Sequence, residues 1–379
     1  MKDSLGLAVI GLGMAGERHA RALLDGSVPG ARLAAVCDIA PARVAPFPVC
    51  RTEDPAALLA QPDVDAVVIA TPHPSHADLA RLALQRGCAV LVEKPLALHK
   101  TECERLLAFH AAMPAPRPVF GVVHDYRADT RFTFLNEILT SGELGRVERV
   151  VWQVTDWFRT DAYYRNSDWR GRFSTEGGGM LVNQAPHVLD TVAWLFGMPH
   201  RVHGVCRFGR FHEIDVEDDV TALLEYASGT TVHLILGTGE APGTNRLEVS
   251  ADRGRIVIEG GSALVHRNRE AASRHRRRDL TGRPLGDVER LQFPPRAKTG
   301  LVLLDNFVKA ITGQQGLLAP AAQAARAVEL ANAILWSSLE ERPVQLPLDG
   351  EAFADLYDRL RQRGSILNED PQASAGACR

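Results

Sequence analysis

Short apolar runs alternate with helix-like segments through the first third of the chain. Five such runs have the length of strands: residues 5–10, 33–37, 65–70, 89–92 and 119–123. Helical spacing of apolar residues fills three of the gaps, over 17–24, up to Arg86, and over 100–112. Strands that alternate with helices predict a parallel, doubly wound sheet, which binds ligands at the carboxyl ends of its strands.

The pattern changes after Val123. Longer runs with every second residue apolar follow, at 147–158, 202–208, 220–226, 230–236, 246–250 and 255–259. Ala227-Ser228-Gly229 lies between two of them and is typical of a hairpin turn. The second half is therefore predicted to be an α+β domain with an open, mostly antiparallel sheet, on which a helix over 177–196 packs.

The first apolar run leads into a glycine turn. Gly11-Leu12-Gly13-Met14-Ala15-Gly16 follows it, and a helical pattern begins at Glu17. Such glycines allow a tight turn and close approach to a pyrophosphate, which the helix N-terminus receives. The motif alone is weak, but the next strand ends in Asp38, 22 residues after Gly16, where a carboxylate can bind the ribose hydroxyls of NAD. Asp38 favours NAD, while Arg43 leaves NADP open.

Polar residues at the ends of later strands extend this site. Thr71-Pro72, Glu93-Lys94 and His124-Asp125 all fall at carboxyl ends, and their shared edge favours binding, although each can be a plain loop residue. The predicted cofactor-binding residues are Gly11, Gly13, Met14, Ala15, Gly16, Asp38, Arg43, Thr71, Pro72, His76, Glu93 and Lys94.

The length of 379 residues predicts more than one domain, because single cores stop growing below this size. We expect an NAD(P)-binding Rossmann domain at 1–124 and a substrate-binding and oligomerisation domain at 125–345. Helices over 301–312 and 321–339 are expected to pack back on the first domain. Residues 346–379 form an extension whose end, from Asn368, is predicted to be disordered.

The stretch from Glu176 to Asp190 is the best candidate for chemistry in the second half. If it is helical from Asn183 onward, Asn183, His187 and Asp190 share one face and can point into a cleft. The alternative is that Asn183 is an N-cap and that His187 and Asp190 are a solvated surface pair. Lys94 can hydrogen-bond a developing alkoxide, and His187 is the natural proton carrier near neutral pH.

Three motifs together resemble the glucose-fructose oxidoreductase / inositol dehydrogenase / rhizopine catabolism (Gfo/Idh/MocA) family: the glycine turn with His19, Glu93-Lys94-Pro95, and Gly177-Gly178-Gly179 leading to His187 and Asp190. The resemblance covers residues 4–345. It implies a Rossmann domain, a second domain whose open sheet often forms oligomers, and NAD(P)-dependent redox chemistry on sugars, cyclitols or their derivatives. It also implies three catalytic residues: Lys94 as the catalytic lysine, His187 as the general acid/base, and Asp190 as the carboxylate that follows it.

One position departs from the family pattern. Inositol dehydrogenase-like members have an aspartate four residues before the histidine, where this chain has Asn183. Asparagine can hydrogen-bond a substrate hydroxyl but cannot act as a base. More of the proton transfer therefore falls on His187, and inositol itself is a weaker candidate substrate.

A segment rich in aromatic residues and arginine precedes the glycine run. Aromatic faces stack on sugar rings, and arginines suit hydroxyl-rich or carboxylated ligands. The alternative is that the tryptophans are core and the arginines surface. The predicted substrate-binding residues are Trp157, Arg159 and Tyr163 from this segment, with Lys94, Asn183 and His187.

Composition excludes several classes of partner. A net charge of −3 and 45% apolar residues show no bias toward nucleic acid or membrane, and no apolar run approaches the ~20 residues of a membrane span. The six cysteines lack metal-ligand spacing, which predicts reduced thiols and no metal. Because no aromatic residues interleave the basic cluster at 274–278, a solvated loop or edge hairpin over 267–298 is favoured over a nucleic-acid patch. With no room for a signal peptide, the protein is expected to stay in the cytoplasm. The family resemblance implies a homodimer or homotetramer that forms through the open sheet.

Three functions remain open. The leading hypothesis is an NAD(P)-dependent dehydrogenase or reductase that acts on a secondary hydroxyl or ketone of a sugar or cyclitol, with Lys94 and His187 at the reacting oxygen. The second is a redox-neutral glycosidase or epimerase that retains NAD and works through a keto sugar. The third is a non-catalytic nucleotide or sugar sensor.

Overall fold

The first sheet is parallel and has six strands. The computed structural model describes residues 4–278, 281–294 and 299–363. The strands are β1 (Leu5–Ile10), β2 (Ala31–Cys37), β3 (Cys50–Thr52), β4 (Ala66–Ile69), β5 (Ala89–Val92) and β6 (Phe120–Val122). Their order is β3-β2-β1-β4-β5-β6, which confirms the predicted doubly wound sheet. The short edge strand β3 escaped prediction because its residues are polar and largely exposed.

Helices cover both faces of this sheet. Those of the first 124 residues are α1 (Met14–Leu24), α2 (Pro41–Val44), α3 (Pro55–Leu59), α4 (His76–Gln85) and α5 (Lys100–Ala112). The helices of the rest of the chain, which are shared between the two sheets, are α6 (Thr130–Ser141), α7 (Asp161–Arg165), α8 (Pro186–Phe196), α9 (Ala272–His275), α10 (Thr299–Ile311), α11 (Ala321–Leu339) and α12 (Gly350–Arg363). Leu303 and Phe307 of α10 pack in one core of the first sheet, and Ala324 and Val328 of α11 pack in the other. Late helices therefore complete the early domain.

The second sheet has nine strands. They are β7 (Val147–Val154), β8 (Arg201–Phe208), β9 (Glu217–Glu225), β10 (Thr231–Gly237), β11 (Asn245–Ala251), β12 (Gly254–Glu259), β13 (Ser262–Asn268), β14 (Gly286–Gln292) and β15 (Val344–Gln345). Their order is β14-β13-β12-β11-β7-β10-β9-β8-β15, and all pairs are antiparallel except β7 with β10. The predicted open, mostly antiparallel sheet is confirmed, as is the β9–β10 hairpin at 227–229. β7 stops at Val154, short of the predicted 158, because its pairing with both neighbours ends there.

The basic cluster lies between two edge strands. β13 and β14 pair antiparallel, and residues 274–278 belong to the connection between them. His275 and Arg278 both pair with Glu270 in that connection. The geometry is that of the edge hairpin favoured above. The tail that we predicted to be disordered, from Asn368, lies outside the described residues.

The helix predicted over 177–196 ends where expected but is not continuous, so Asn183, His187 and Asp190 do not lie on one helix. Residues Met180–Gln184 form a π-helical turn, and α8 begins at Pro186, the residue type best suited to a first helical position. Asn183 therefore lies in the turn before the helix that carries His187 and Asp190. The N-cap of α8 is Ala185 rather than Asn183.

Candidate functional site

The glycine turn packs tightly against the neighbouring strand end. Gly11 has a φ of +87°, and a Cβ there would lie 2.7 Å from the backbone of Ala70. A Cβ on Gly16 would lie 1.8 Å from the carbonyl oxygen of Gly11. Gly13, the N-cap of α1, has no atom within 4 Å of its Cβ position and makes no side-chain cap. The first amides of α1 thus face open space, as binding of a pyrophosphate requires.

Asp38 is held beside this turn. One carboxylate oxygen accepts from the Leu12 amide at 2.7 Å and the other from the Ala40 amide at 2.9 Å, while Arg43 Nη1 lies 3.5 Å away. The next residue, Ile39, is 86% exposed and lies with Asp38 in a cleft beside the glycine turn. A fixed carboxylate beside an open apolar side chain suits the ribose and base of an adenosine, so these residues fit a dinucleotide.

Both halves of the chain line one cleft of about 1320 Å³. Of the predicted cofactor residues, those that line it are Gly11, Gly13, Met14, Ala15, Asp38, Arg43, Thr71, Pro72, His76, Glu93 and Lys94. Gly16 does not, because it is packed behind the turn. At the other end lie Lys94, Asp125, Trp169, Arg170, Asn183 and His187.

Histidines fix the ends of β4 and β5 at the middle of the cleft. The His76 ring nitrogens lie 2.7 Å from the Pro95 carbonyl oxygen and 2.8 Å from that of Thr71. His19 Nε2 lies 2.9 Å from Glu93 Oε1. Burial alone would raise the pKa of Glu93, but His19, together with the charge of Lys94, lowers it. Glu93 therefore stays ionised beside the lysine.

Lys94 reaches across to the second domain. Its Nζ donates to the backbone oxygen of Asn183 and lies 3.3 Å from Asn183 Oδ1. Burial lowers the pKa of Lys94, and the charges of Glu93, Glu176 and Asp125 oppose that shift. A half-buried ammonium that lines the cleft can hydrogen-bond a substrate oxygen there.

The glycine run before Asn183 is fixed from two sides. Glu217 Oε1, on β9, accepts from the amides of Gly179 at 3.1 Å and Leu181 at 2.9 Å. The buried hydroxyl of Tyr357, on α12, donates to the carbonyl oxygen of Gly177. Burial raises the pKa of Glu217 to about 7, against the lowering effect of these amides. The π-helical turn thus depends on partners far away in sequence.

Asp190 is buried and does not line the cleft. Arg127 Nε and Nη2 each donate to one of its oxygens at 2.7 Å, in a bidentate pair that is almost wholly buried. Arg127 Nη1 also donates to the Leu318 carbonyl at 3.1 Å. The alternative of a solvated His187–Asp190 pair is therefore wrong, and Asp190 anchors α8 from behind.

His187 lies at the cleft among aromatic rings. The rings of His124 and Tyr126 are both centred 5.7 Å from its ring. His124 Nε2 lies 3.8 Å from Asp190 Oδ1, and burial lowers the pKa of His124 to about 4 although that carboxylate opposes the shift. His124 is thus held neutral and does not line the cleft, whereas His187 does line it and is an imidazole that can exchange a proton near neutral pH.

The three aromatic-segment residues chosen from sequence do not line the cleft. Trp157 packs against the core of the second domain. The Arg159 guanidinium stacks over Tyr163, and both bond to Gln184, outside the cleft. Trp169 and Arg170 line it instead, and their place depends on how residues 155–175 loop back, which no local pattern reveals.

Sequence reasoning also missed Arg127 and assigned no role to Glu176. Arg127 lies two residues after Asp125, next to a strand end that carries polar residues. This position is the only local signal in the sequence that could have pointed to Arg127. Within the described residues no cluster of His, Cys, Asp or Glu could hold a metal, and none of the helices there combines the length and apolarity of a membrane crossing.

Family profiles match both halves of the chain. The profile of an oxidoreductase family with an NAD-binding Rossmann fold matches residues 5–114, and that of the GFO/IDH/MocA C-terminal domain matches residues 132–257. The chain belongs to the Gfo/Idh/MocA family. The resemblance drawn from its three motifs is confirmed, and NAD is the cofactor of this Gfo/Idh/MocA oxidoreductase.

Similar proteins include several dehydrogenases of this family. Inositol 2-dehydrogenase 2 of Saccharopolyspora erythraea is 28% identical over 298 residues, which cover 76% of this chain and 81% of that protein. The uncharacterized oxidoreductase YdgJ of Escherichia coli is 32% identical over 201 residues, 52% of this chain and 56% of YdgJ.

Solved structures share the fold. The WlbA dehydrogenase from Bordetella pertussis, in complex with NADH and UDP-GlcNAcA, has a TM-score of 0.75 at 22% identity over 91% of this chain and 100% of its own. Levoglucosan dehydrogenase, in complex with NADH and levoglucosan, has a TM-score of 0.74 at 20% identity over 91% and 100%. At these identities the likeness concerns the fold of both domains.

Proposed function

We propose that this Gfo/Idh/MocA protein is an NAD-dependent dehydrogenase or reductase of a secondary hydroxyl or ketone on a sugar, a cyclitol or a derivative of one. The observation that carries the proposal is that Lys94 and His187 line the same cleft as the glycine turn and Asp38. Relatives named as inositol and levoglucosan dehydrogenases support this substrate class.

The roles follow from the side chains. The glycine turn and Asp38 would hold NAD, which would supply the hydride chemistry when bound. His187 takes the hydroxyl proton in the oxidative direction and returns it in the other. Lys94 donates a hydrogen bond to the same oxygen and stabilises its negative charge. Asn183 holds Lys94 without taking up a proton.

A substrate panel tests the proposal. Monosaccharides, glycosides, inositols and keto sugars are offered with NAD or NADP, and both nicotinamide absorbance and product are followed. Stoichiometric change in absorbance supports a dehydrogenase. Product without net change in absorbance indicates the redox-neutral glycosidase or epimerase, and binding without any product indicates the sensor.

Variants at the two reactive groups complete the test. Lys94→Ala and His187→Ala should each lower kcat by about 10²-fold or more, the usual effect of losing an acid/base or charge-stabilising group, with NADH binding retained. Lys309→Ala, which removes a lysine paired with Asp305 on α10, and His203→Ala, at an exposed position of β8, are the matched controls. Unchanged turnover in both cleft variants would refute the assigned roles.

A further inference from the structure

The Asn183 side chain lies between a cation and a carboxyl group. Its Oδ1 faces the Lys94 ammonium at 3.3 Å, and its Nδ2 donates to Glu176 Oε1. Both neighbours select the same orientation of the amide, because the reverse would set donor against donor and acceptor against acceptor. Asn183 is 8% exposed and Glu176 is 1% exposed, so water has little access to replace either bond.

Glu176 is itself fixed by another part of the chain. Its Oε2 accepts from the Gly171 amide at 2.6 Å, and its backbone oxygen lies 3.2 Å from His73 Nδ1. A buried carboxyl held in this way cannot turn aside to accommodate a new neighbour. The orientation of Asn183 is thus set from behind the cleft rather than within it.

An aspartate at position 183 would meet a different environment. One of its oxygens would suit Lys94, but the other would stand against Glu176 Oε1 at hydrogen-bond distance. Two buried carboxylates at that distance repel unless they share a proton, whereas an amide bridges cation and carboxylate without one. The contact with Glu176 therefore accounts for an amide rather than a carboxylate at position 183.

We propose that Glu176 is a positioning residue: it orients the Asn183 amide and, through it, holds the Lys94 ammonium at the reacting oxygen. The effect on catalysis rests on the proposed function, in which Lys94 stabilises that oxygen. The effect on Lys94 itself does not, because the chain of contacts is present whatever the substrate. Positions 176 and 183 form a matched pair, and a change at one calls for a change at the other.

The pair is tested by exchanging its charge between the two positions. Asn183→Asp, Glu176→Gln and the double variant are made in the full chain, and thermal unfolding confirms that each folds. Glu217→Gln, alone and with Asn183→Asp, is the matched control, because Glu217 is a buried glutamate that holds the same glycine run without a bond to Asn183.

The first readout is turnover of whichever panel substrate the wild type uses. Asn183→Asp should lower kcat by about tenfold or more, within the range of coupling between contacting buried groups, and adding Glu176→Gln should restore most of it. Adding Glu217→Gln should restore none. A double variant no better than Asn183→Asp overturns the proposal.

The second readout needs no substrate. Burial raises the pKa of Glu176 to about 7, so the measurement is made at one fixed pH above about 8, where Glu176 is ionised. Acetylation of Lys94 by acetic anhydride, followed by mass spectrometry, then reports how much of its amine is neutral. Removing the Glu176 charge should speed the reaction severalfold, adding a charge at 183 should slow it, and the double variant should return near the wild-type rate. If Glu176→Gln fails to fold, Glu176→Asp replaces it and should perturb the rate through its shorter reach.

The two readouts separate the two proposals. A wild type that turns over no panel substrate refutes the proposed function, while Lys94 reactivity still decides the role of Glu176. If the rate of Lys94 acetylation is unchanged in Glu176→Gln but changes in Glu217→Gln, the positioning role of Glu176 is overturned, even when turnover is found.

Discussion

The two ends of the cleft are built in different ways. The dinucleotide end takes its groups from one strand, one turn and one helix, with Asp38 added from the next strand. The substrate end takes Lys94, Asn183 and His187 from three separate segments, supported from behind by buried charges. The first end is held by close backbone packing, and the second by ionic and hydrogen-bonded partners.

The two ends should therefore be sensitive to different kinds of substitution. Backbone packing fails when a side chain is added, whereas a buried charge fails when its partner is removed. Single substitutions should therefore disable one end and spare the other.

Breaking the Arg127–Asp190 pair should have the largest effect. Arg127→Met leaves the Asp190 carboxylate buried without its partner and should lower the free energy of unfolding by about 3–5 kcal/mol. Denaturant titration measures the loss, and NADH fluorescence should show near-normal binding by the protein that remains folded. Arg201→Met, in the exposed pair with Glu225, is the control and should change stability little. If both variants had the same free energy of unfolding, the claim that a buried ion pair supports the substrate end would be contradicted.

Glu217 should make stability depend on pH. Burial raises its pKa in the fold to about 7 from an ordinary value of about 4.5, so the folded protein binds the extra proton between these values. The stabilising effect of that proton is fully present below about pH 4.5 and is lost as pH rises through about 7, by about 3 kcal/mol at most. The free energy of unfolding, measured at several pH values across this window, should change less with pH in Glu217→Gln than in the wild type. An identical pH dependence in the two proteins would show that Glu217 is ionised across the whole window.

Adding a methyl group should damage the dinucleotide end. Gly16→Ala forces its Cβ against the Gly11 carbonyl and should cost about 2 kcal/mol of stability, the usual cost of overpacking, and weaken NADH binding. Gly13→Ala has open space around the new methyl and should leave thermal unfolding unchanged while it weakens NADH binding. Equal unfolding temperatures for the two variants would refute the packing argument.

The preference for NAD over NADP should depend on the carboxylate of Asp38. Asp38→Ser removes the charge that opposes a 2′-phosphate, and Arg43 remains beside it, so the NADP to NAD ratio of kcat/KM should rise by about tenfold or more. Lys94 reactivity should not change, because it belongs to the other end. An unchanged ratio would mean that another group selects the cofactor.

Sequence revealed the dinucleotide end because its signals are local. The glycine turn, the strand before it and the distance to Asp38 are readable within 38 residues, and alternation alone predicted the second sheet. The substrate end was only half readable. The residue types at Lys94 and His187 suggested chemistry, but the Arg127–Asp190 pair joins positions 63 apart and the π-helical turn is held by Glu217, 36 residues beyond Leu181. Helical periodicity cannot report such partners.

The contact from Tyr357 to Gly177 joins positions 180 apart, near the end of the described chain. During translation the glycine run therefore lacks this anchor until α12 has left the ribosome. A chain that ends between Leu339 and Tyr357 would keep the helices that complete the first domain and should still bind NAD, but its glycine run would be held by Glu217 without Tyr357.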